Sequence, residues 1–230
     1  MTVQRIAMVA LDIAGTSIDE GGAVYVALRT AVESHTGKPI AGDEFDRWKG
    51  TGKRQAIAGL LPDATVDQID AVESEFTRRL LGAYRSTPPT PLPGIVEAFA
   101  VLRDHDVKVA LQTGYSRAIA GPLLEQVRWR VGRDIDAVIT SDQVRTSRPA
   151  PYLIFHAMES VGVHSVSEVL VAGDTPNDLR AGTNAGARYV AGVLTGAHHA
   201  ETLRREPHTH ILTSAATIPE VLGLREQVTL

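Results

Sequence analysis

The 230-residue chain contains no cysteine. A disulfide framework and a thiolate nucleophile are therefore excluded, and a zinc site would have to be built from histidine alone. A large excess of either charge is missing as well: 23 Lys and Arg stand against 27 Asp and Glu, a formal net charge of -4. Nothing in that balance advertises nucleic acid or an anionic membrane, so an anionic substrate has to be captured by a local site. No apolar run approaches the ~18 residues of a membrane span. The N-terminus, Met-Thr-Val-Gln-Arg-Ile, runs straight into a strand-like segment without a signal-peptide pattern. The expectation is a soluble, cytoplasmic protein, monomer or homodimer, acting on a small molecule and not on nucleic acid or membrane.

What is present is ordinary globular material, 43% hydrophobic and 22% charged. The length suits one α/β domain with an insert or two small domains. Apolar runs that end in polar or glycine-rich turns recur at Ile6–Leu11, Val107–Gln112, Ala137–Thr140, Val169–Ala172, Tyr189–Leu194 and His210–Leu212. Continuous runs of this length fit parallel strands buried on both faces. Helix-like stretches alternate with them, such as Gly94–Asp104 with Ile95, Phe99 and Leu102 on one face, which predicts a doubly wound parallel α/β sheet.

The alternation fails between about residues 20 and 88. Ala23–Glu33 is amphipathic, with Val24, Leu28, Ala31 and Val32 grouped. Thr65–Tyr84 predicts a longer helix carrying Val66, Ile69, Val72, Phe76 and Leu80, opened by a capping box from Thr65 to Gln68. Ser86–Gly94 holds four prolines, which enforce an extended linker, and Gly21-Gly22 offers a flexible joint at the other end. The predicted organisation is a core of residues 1–18 and 91–230 with a helical cap, residues 19–90, inserted after the first strand.

In open parallel sheets, ligands bind beyond the carboxyl ends of the strands. Asp12, Thr113, Arg148, Asp174 and Asp178 stand there. An aspartate after a strand is ordinarily a cap or turn residue; five such residues in this order are a constellation. Asp12-Ile-Ala-Gly-Thr16 resembles the first motif of the haloacid dehalogenase superfamily, Thr113 the second, Arg148-Pro149 the basic third, and Gly173-Asp174-Thr-Pro-Asn-Asp178 the acidic fourth. Thr113-Gly-Tyr-Ser, Ser147-Arg-Pro-Ala-Pro151 and Asn184-Ala-Gly-Ala187 resemble the phosphonatase (phosphonoacetaldehyde hydrolase)-like group within it.

The resemblance implies a hydrolase of small phosphonates or phosphates working through an aspartyl-phosphate. Asp12 would be the nucleophile and a magnesium ligand, with Asp174 and the Ala14 carbonyl as further ligands and Asp178 behind them, holding a metal-bound water or steering Arg148. Magnesium answers a physical need, because a carboxylate attacking a phosphoryl dianion is repelled unless a cation bridges them. Thr113, the Gly114 amide and Arg148 would supply donors and positive charge to the phosphoryl oxygens, with Thr16 and Gly50 also bordering the substrate. Gly15 would let the backbone approach closely.

Phosphatases of this superfamily carry an acid two residues after the nucleophile; here that position is Ala14, as in phosphonatases. Breaking a carbon–phosphorus bond needs an electron sink, which an imine on a lysine supplies. Lys53, in Gly50-Thr-Gly-Lys53, falls where the resemblance puts that lysine, while Lys49 and Ala56 replace the methionine and histidine of phosphonatases. The other reading of Lys53 is a plain phosphate or carboxylate clamp, as in a phosphoglycolate-phosphatase-like enzyme. Lys49 and Arg54 are candidates for lowering its pKa. Dehalogenase chemistry needs no metal, and the paired acids Asp174 and Asp178 argue against it. Asp19 and Glu20 are expected in the linker or cap, Trp48 near the substrate, and Trp129 packed at a helix end. Pro122 suggests a kink or late helix start. The late histidines His198, His199, His208 and His210 are a weak zinc candidate.

Overall fold

Side chains that alternate between two covered faces along the first strand set the layers of the molecule. In the computed structural model, which describes residues 5–225, the chain first forms β1 (Met8–Leu11) and β2 (Ile18–Asp19). A helical insert follows: α1 (Ala23–Thr36), α2 (Gly42–Asp46), α3 (Lys53–Leu60) and α4 (Val66–Ser86). The chain returns through β3 (Thr90–Pro91), α5 (Ile95–Asp104), β4 (Lys108–Gln112), α6 (Arg117–Gln126), β5 (Ala137–Ile139) and α7 (Tyr152–Val161). It closes with β6 (Val169–Gly173), α8 (Pro176–Ala185), β7 (Tyr189–Val193), α9 (Ala200–Leu203), β8 (His210–Leu212) and α10 (Ile218–Val221). The outermost residues of the predicted core, 1–4 and 226–230, lie outside the described ones.

Six parallel strands order as β5-β4-β1-β6-β7-β8, the predicted doubly wound sheet. Val9 and Leu11 pack with Ile95, Phe99 and Leu102 of α5 and Leu123 of α6. Met8 and Ala10 pack on the other face with Leu153, Ile154 and Ala157 of α7 and Ala181 of α8. A strand covered on both faces has no polar side to show, which is why its sequence reads as an unbroken apolar run. Register brings Leu11 opposite both Leu111 and Ala172, so the residues that follow β1, β4 and β6 emerge side by side.

In the insert, α4 begins at the predicted capping box, with the Thr65 hydroxyl accepting from the Gln68 amide and the Gln68 side chain accepting from the Thr65 amide at 2.8 Å. Val72, Phe76, Leu80 and Tyr84 form its buried face against α1. Val66, predicted on that face, is 65% exposed. The two crossings between sheet and insert pair with each other: Ile18 lies opposite Pro91 and Asp19 opposite Thr90, antiparallel. The predicted boundaries run through this ribbon. Its proline is tolerated because only one edge of the strand is paired. Pro122 stands inside α6 and takes away one helical donor. Trp129 packs on Phe99 at 5.1 Å between ring centroids. Among the described residues no helix is long and apolar enough to cross a membrane.

Candidate active site

The strand ends form one wall of the site. Asp12 leaves β1 with its amide bonded to the Ala172 carbonyl at 3.0 Å, and the Ser17 hydroxyl ties back to the Asp12 carbonyl at 2.8 Å. The chain then turns through Gly15 at φ 77°, where a Cβ would stand 2.8 Å from both an Asp174 oxygen and the Gly196 backbone. Only glycine fits that crossing. Asp174 accepts from the Thr16 hydroxyl at 3.2 Å and the Ala197 amide at 2.7 Å. Asp178 stands one turn into α8 and completes a capping box with Thr175, its carboxylate accepting from the Thr175 amide at 3.0 Å and its amide donating to the Thr175 hydroxyl at 3.3 Å. Arg148, fully buried, bridges Asp178 and Asp12, the latter at 2.5 Å, and also donates to the Gln112 carbonyl at 2.9 Å. Thr113 is held after β4 by an amide bond to the Ile139 carbonyl at 2.9 Å.

The insert supplies the opposite wall. The Lys53 amide donates to the Gly114 carbonyl at 3.1 Å, and a Cβ on Gly114 would stand 2.2 Å from the Thr51 oxygen. Gly50, at φ 79°, lies so close to Thr175 that a Cβ would stand 2.0 Å from its hydroxyl oxygen. The Asn177 amide donates to the Arg47 and Lys49 carbonyls at 3.1 and 2.7 Å, fastening the loop from the core side. Beneath it Asp12, Ala14, Lys53, Thr113, Tyr115 and Arg148 line a cavity of about 10 Å³, room for roughly one water. The Lys53 ammonium donates to the Thr51 carbonyl at 3.0 Å and lies 5.6 and 5.8 Å from the ring centroids of Tyr115 and Tyr25.

With this geometry in view, relatives can be compared. The profile of the haloacid dehalogenase-like hydrolases matches residues 6–186. The chain belongs to that family. It is 28% identical over 214 residues to a phosphonoacetaldehyde hydrolase of Parabacteroides distasonis, covering 85% of this chain and 79% of the relative. It is 27% identical to a phosphoglycolate phosphatase of Pseudomonas fluorescens, covering 97% and 82%. The solved structure of a phosphonoacetaldehyde hydrolase-like protein of Oleispira antarctica superposes with a TM-score of 0.81 at 19% identity, covering 95% of this chain and 91% of that one.

This haloacid dehalogenase-like hydrolase concentrates negative charge on its strand-end wall. Ligand atoms of Asp12, Asp174 and Asp178 lie within 4.8 Å of one another, all three buried. Burial, and then the charges of Asp12 and Asp178, push the Asp174 carboxyl far above the ordinary carboxylate range. Burial also raises Asp178, against the pull of Arg148. An all-oxygen set strained by its own repulsion fits a hard divalent cation. The four late histidines make no such group: among the described residues the acidic cluster is the one that comes together. His198 bonds the Asp174 carbonyl and His210 stacks edge-on against Tyr189.

Lys53 behaves differently. Burial lowers its pKa to about 8, opposed by the Asp12 charge and assisted by Arg148. Lys49 and Arg54, the neighbours expected to lower it, instead pair with Asp46 at 2.8 Å and with Glu73 at 2.8 Å. Trp48, expected near the substrate, packs its ring over Gly59, where a Cβ would stand 1.9 Å away. Sequence reasoning did not single out Tyr25, Tyr84, Tyr115 or Asn177, and Glu20 was assigned to the linker or cap without a role. Glu20 accepts from the Val24 amide at 2.8 Å and from the Tyr84 hydroxyl at 3.3 Å, and burial raises its pKa to about 7. For Asn177 and Tyr115 a signal existed, since they lie inside the acidic motif and the Thr113-Gly-Tyr-Ser motif; for Tyr25 and Tyr84 none did.

Proposed function

We propose that the protein is a magnesium-dependent, phosphonatase-type hydrolase that cleaves the carbon–phosphorus bond of a small phosphonate bearing an aldehyde. The observation that carries the reading is Lys53: it is buried in the same cavity as Asp12, with no carboxylate at ion-pair distance among the described residues and a pKa lowered to about 8. A buried ammonium used only as a clamp is ordinarily matched by an anion, whereas an amine nucleophile needs its charge weakened. Ala14 agrees with this, since carbon–phosphorus cleavage expels no alkoxide to protonate.

Arg148 holds one oxygen of Asp12, and the carboxylate attacks phosphorus as the Lys53 imine accepts the electron pair released by the breaking bond. Asp12, Asp174 and the Ala14 carbonyl, with Asp178 behind them, would hold magnesium, which neutralises the repulsion between carboxylate and phosphoryl group. Thr113, the Gly114 amide and Arg148 bind the phosphoryl oxygens, and Thr16 and Gly50 border them. The enamine then takes a proton and hydrolysis frees Lys53, while water cleaves the aspartyl-phosphate.

Residues 19–90 act as a cap hinged at the β2–β3 ribbon and Gly21-Gly22. A space of about 10 Å³ does not admit a phosphonate until the Gly50–Lys53 loop lifts from Gly114 and Thr175. The cytoplasm is the compartment proposed with it.

A second reading, hydrolysis of a small phosphate ester with Lys53 as clamp, is supported by the relative named phosphoglycolate phosphatase. Borohydride reduction with phosphonoacetaldehyde separates the two. An imine leaves an irreversible adduct on Lys53 by mass spectrometry, and Lys53→Arg loses at least about 10³-fold in turnover despite keeping its charge. No adduct, together with a Lys53→Arg variant active on a phosphate ester, would establish the clamp.

A further inference from the structure

The Gly50–Lys53 loop lies directly on Gly114 and Thr175 and closes the cavity on that side, so groups lining the cavity are placed to carry the protons it needs. Condensation of an amine with an aldehyde needs such protons, and Ala14 supplies none. A hydrogen-bonded chain of groups reaches the cavity. Tyr115 lines it, with its hydroxyl 3.0 Å from that of Tyr84. The Tyr84 hydroxyl meets Glu20 at 3.3 Å. Glu20 in turn lines a cleft of about 270 Å³ together with the exposed Gly21 and Gly22. The three residues come from the linker after β2, the last turns of α4 and the loop after β4, so no single element's folding requires them to meet.

We infer that Glu20, Tyr84 and Tyr115 form a hydrogen-bonded relay that passes protons between the surface cleft and the substrate held on Lys53. The inference rests on the imine-forming role of Lys53. Hydroxyl direction makes the relay responsive to Glu20. With Glu20 ionised, Tyr84 donates to it and Tyr115 donates to Tyr84, so the chain points away from the cavity. With Glu20 protonated, each bond can reverse, and the Tyr115 hydroxyl is free to donate inward.

The free amine of Lys53 adds to the aldehyde carbon, and a proton shifts from nitrogen to oxygen to give the carbinolamine. Glu20 gives its proton to Tyr84, Tyr84 to Tyr115, and Tyr115 to the departing hydroxyl, which leaves as water while the nitrogen lone pair closes the C=N bond. The products are an iminium on Lys53 and a carboxylate on Glu20. Protonation of the enamine after cleavage, and release of the aldehyde, run through the same groups.

Groups facing Glu20 come from every neighbouring element: the Val24 amide of α1, Tyr25 of α1, Lys53 of α3, Tyr84 of α4, Tyr115 of the core and the adjacent Asp19. Burial raises Glu20 to about 7, outweighing its hydrogen bonds from Val24 and Tyr84 and the Lys53 charge, so it exchanges protons near neutrality. Burial also raises both phenols, which keeps them neutral and able to conduct.

The test is the rate of borohydride-trapped adduct on Lys53, with magnesium and phosphonoacetaldehyde, across the range from about pH 5 to 10. The parent needs a free amine and a protonated Glu20. Its rate should rise to about pH 7, stay level to about 8, and fall above that. Glu20→Gln keeps an acceptor for Val24 and Tyr84, yet should trap about 10²-fold more slowly and lose the alkaline fall. Glu20→Asp should recover part of the rate and the bell shape. Tyr84→Phe, which breaks the chain without touching the carboxyl, should show a similar loss and covers the case of a Glu20→Gln protein that does not fold. Parental rates and profiles in both variants would overturn the relay and leave the imine standing. No adduct in the parent itself would overturn the Lys53 reading and the relay with it.

Discussion

On the strand-end wall three carboxylates stand within a few ångströms of one another and two of them, Asp12 and Asp178, share one guanidinium, whereas the insert wall carries one ammonium set between tyrosine rings. Arg148 and Lys53 are both buried cations lining one cavity, and burial acts on both in the same direction. Their fates diverge because of partners. Asp12 and Asp178 more than offset burial for Arg148 and hold it firmly charged, while Lys53 has only the Thr51 carbonyl and drops to about 8. Burial sets the penalty and the neighbouring charges decide its outcome. One wall is built to hold charge in place and the other to let it go.

Asp12→Asn should break the first wall most severely. An amide has nearly the same shape but does not attack phosphorus, so turnover should fall by roughly 10⁴-fold or more. The melting temperature should change little, because Arg148 keeps its bond to Asp178. Turnover close to the parent's would remove Asp12 from the nucleophile's place.

Removal of magnesium by chelation should come next, stopping turnover and lowering the melting temperature by about 5–10 °C at pH 8. The sign follows from Asp174, whose carboxyl is raised in the folded chain. Its contribution is fully present below the ordinary carboxylate value near 3.8 and is lost as pH rises through the raised one, unless a cation takes over. The magnesium-induced gain in calorimetry should therefore be smaller at pH 5 than at pH 8. An equal gain at both pH values would mean that the cation binds elsewhere.

The smallest effect concerns the seam between the walls. Asn177→Ala removes the donor to the Arg47 and Lys49 carbonyls but touches neither the nucleophile nor Lys53. We expect KM to rise about 10-fold, with kcat changed less, since two lost hydrogen bonds weaken closure by roughly 1–2 kcal/mol. Unchanged steady-state kinetics would show that Gly50 and Gly114 alone hold the loop down.

Legibility differed between the walls for physical reasons. Asp12, Thr113 and Asp174 could be located because each follows a buried strand, and buried strands announce themselves as apolar runs; Asp178 could be located by its spacing of four from Asp174. Gly15 could be read because only glycine tolerates that close crossing. The strand bounds were legible to within two residues, and the α4 capping box was visible as Thr65 and Gln68. The β2–β3 ribbon was not, because two-residue strands carry no period and one of them contains Pro91. Trp48 misled, since an aromatic beside a glycine-rich loop reads alike whether it faces a ligand or, as here, Gly59.

The sequence by itself determined the sheet, the order of its strands' acidic and basic ends, and the family, because those features depend on periodicity and short spacings that survive in one dimension. Tertiary structure alone decided which groups face Lys53. Glu20 and Tyr84 meet across 64 residues and Tyr84 and Tyr115 across 31, each from an element whose own sequence has no need of the contact. Packing of α4 between the linker and the core brings the carboxyl and the two hydroxyls together, and the burial that lowers the Lys53 pKa arises from the same packing.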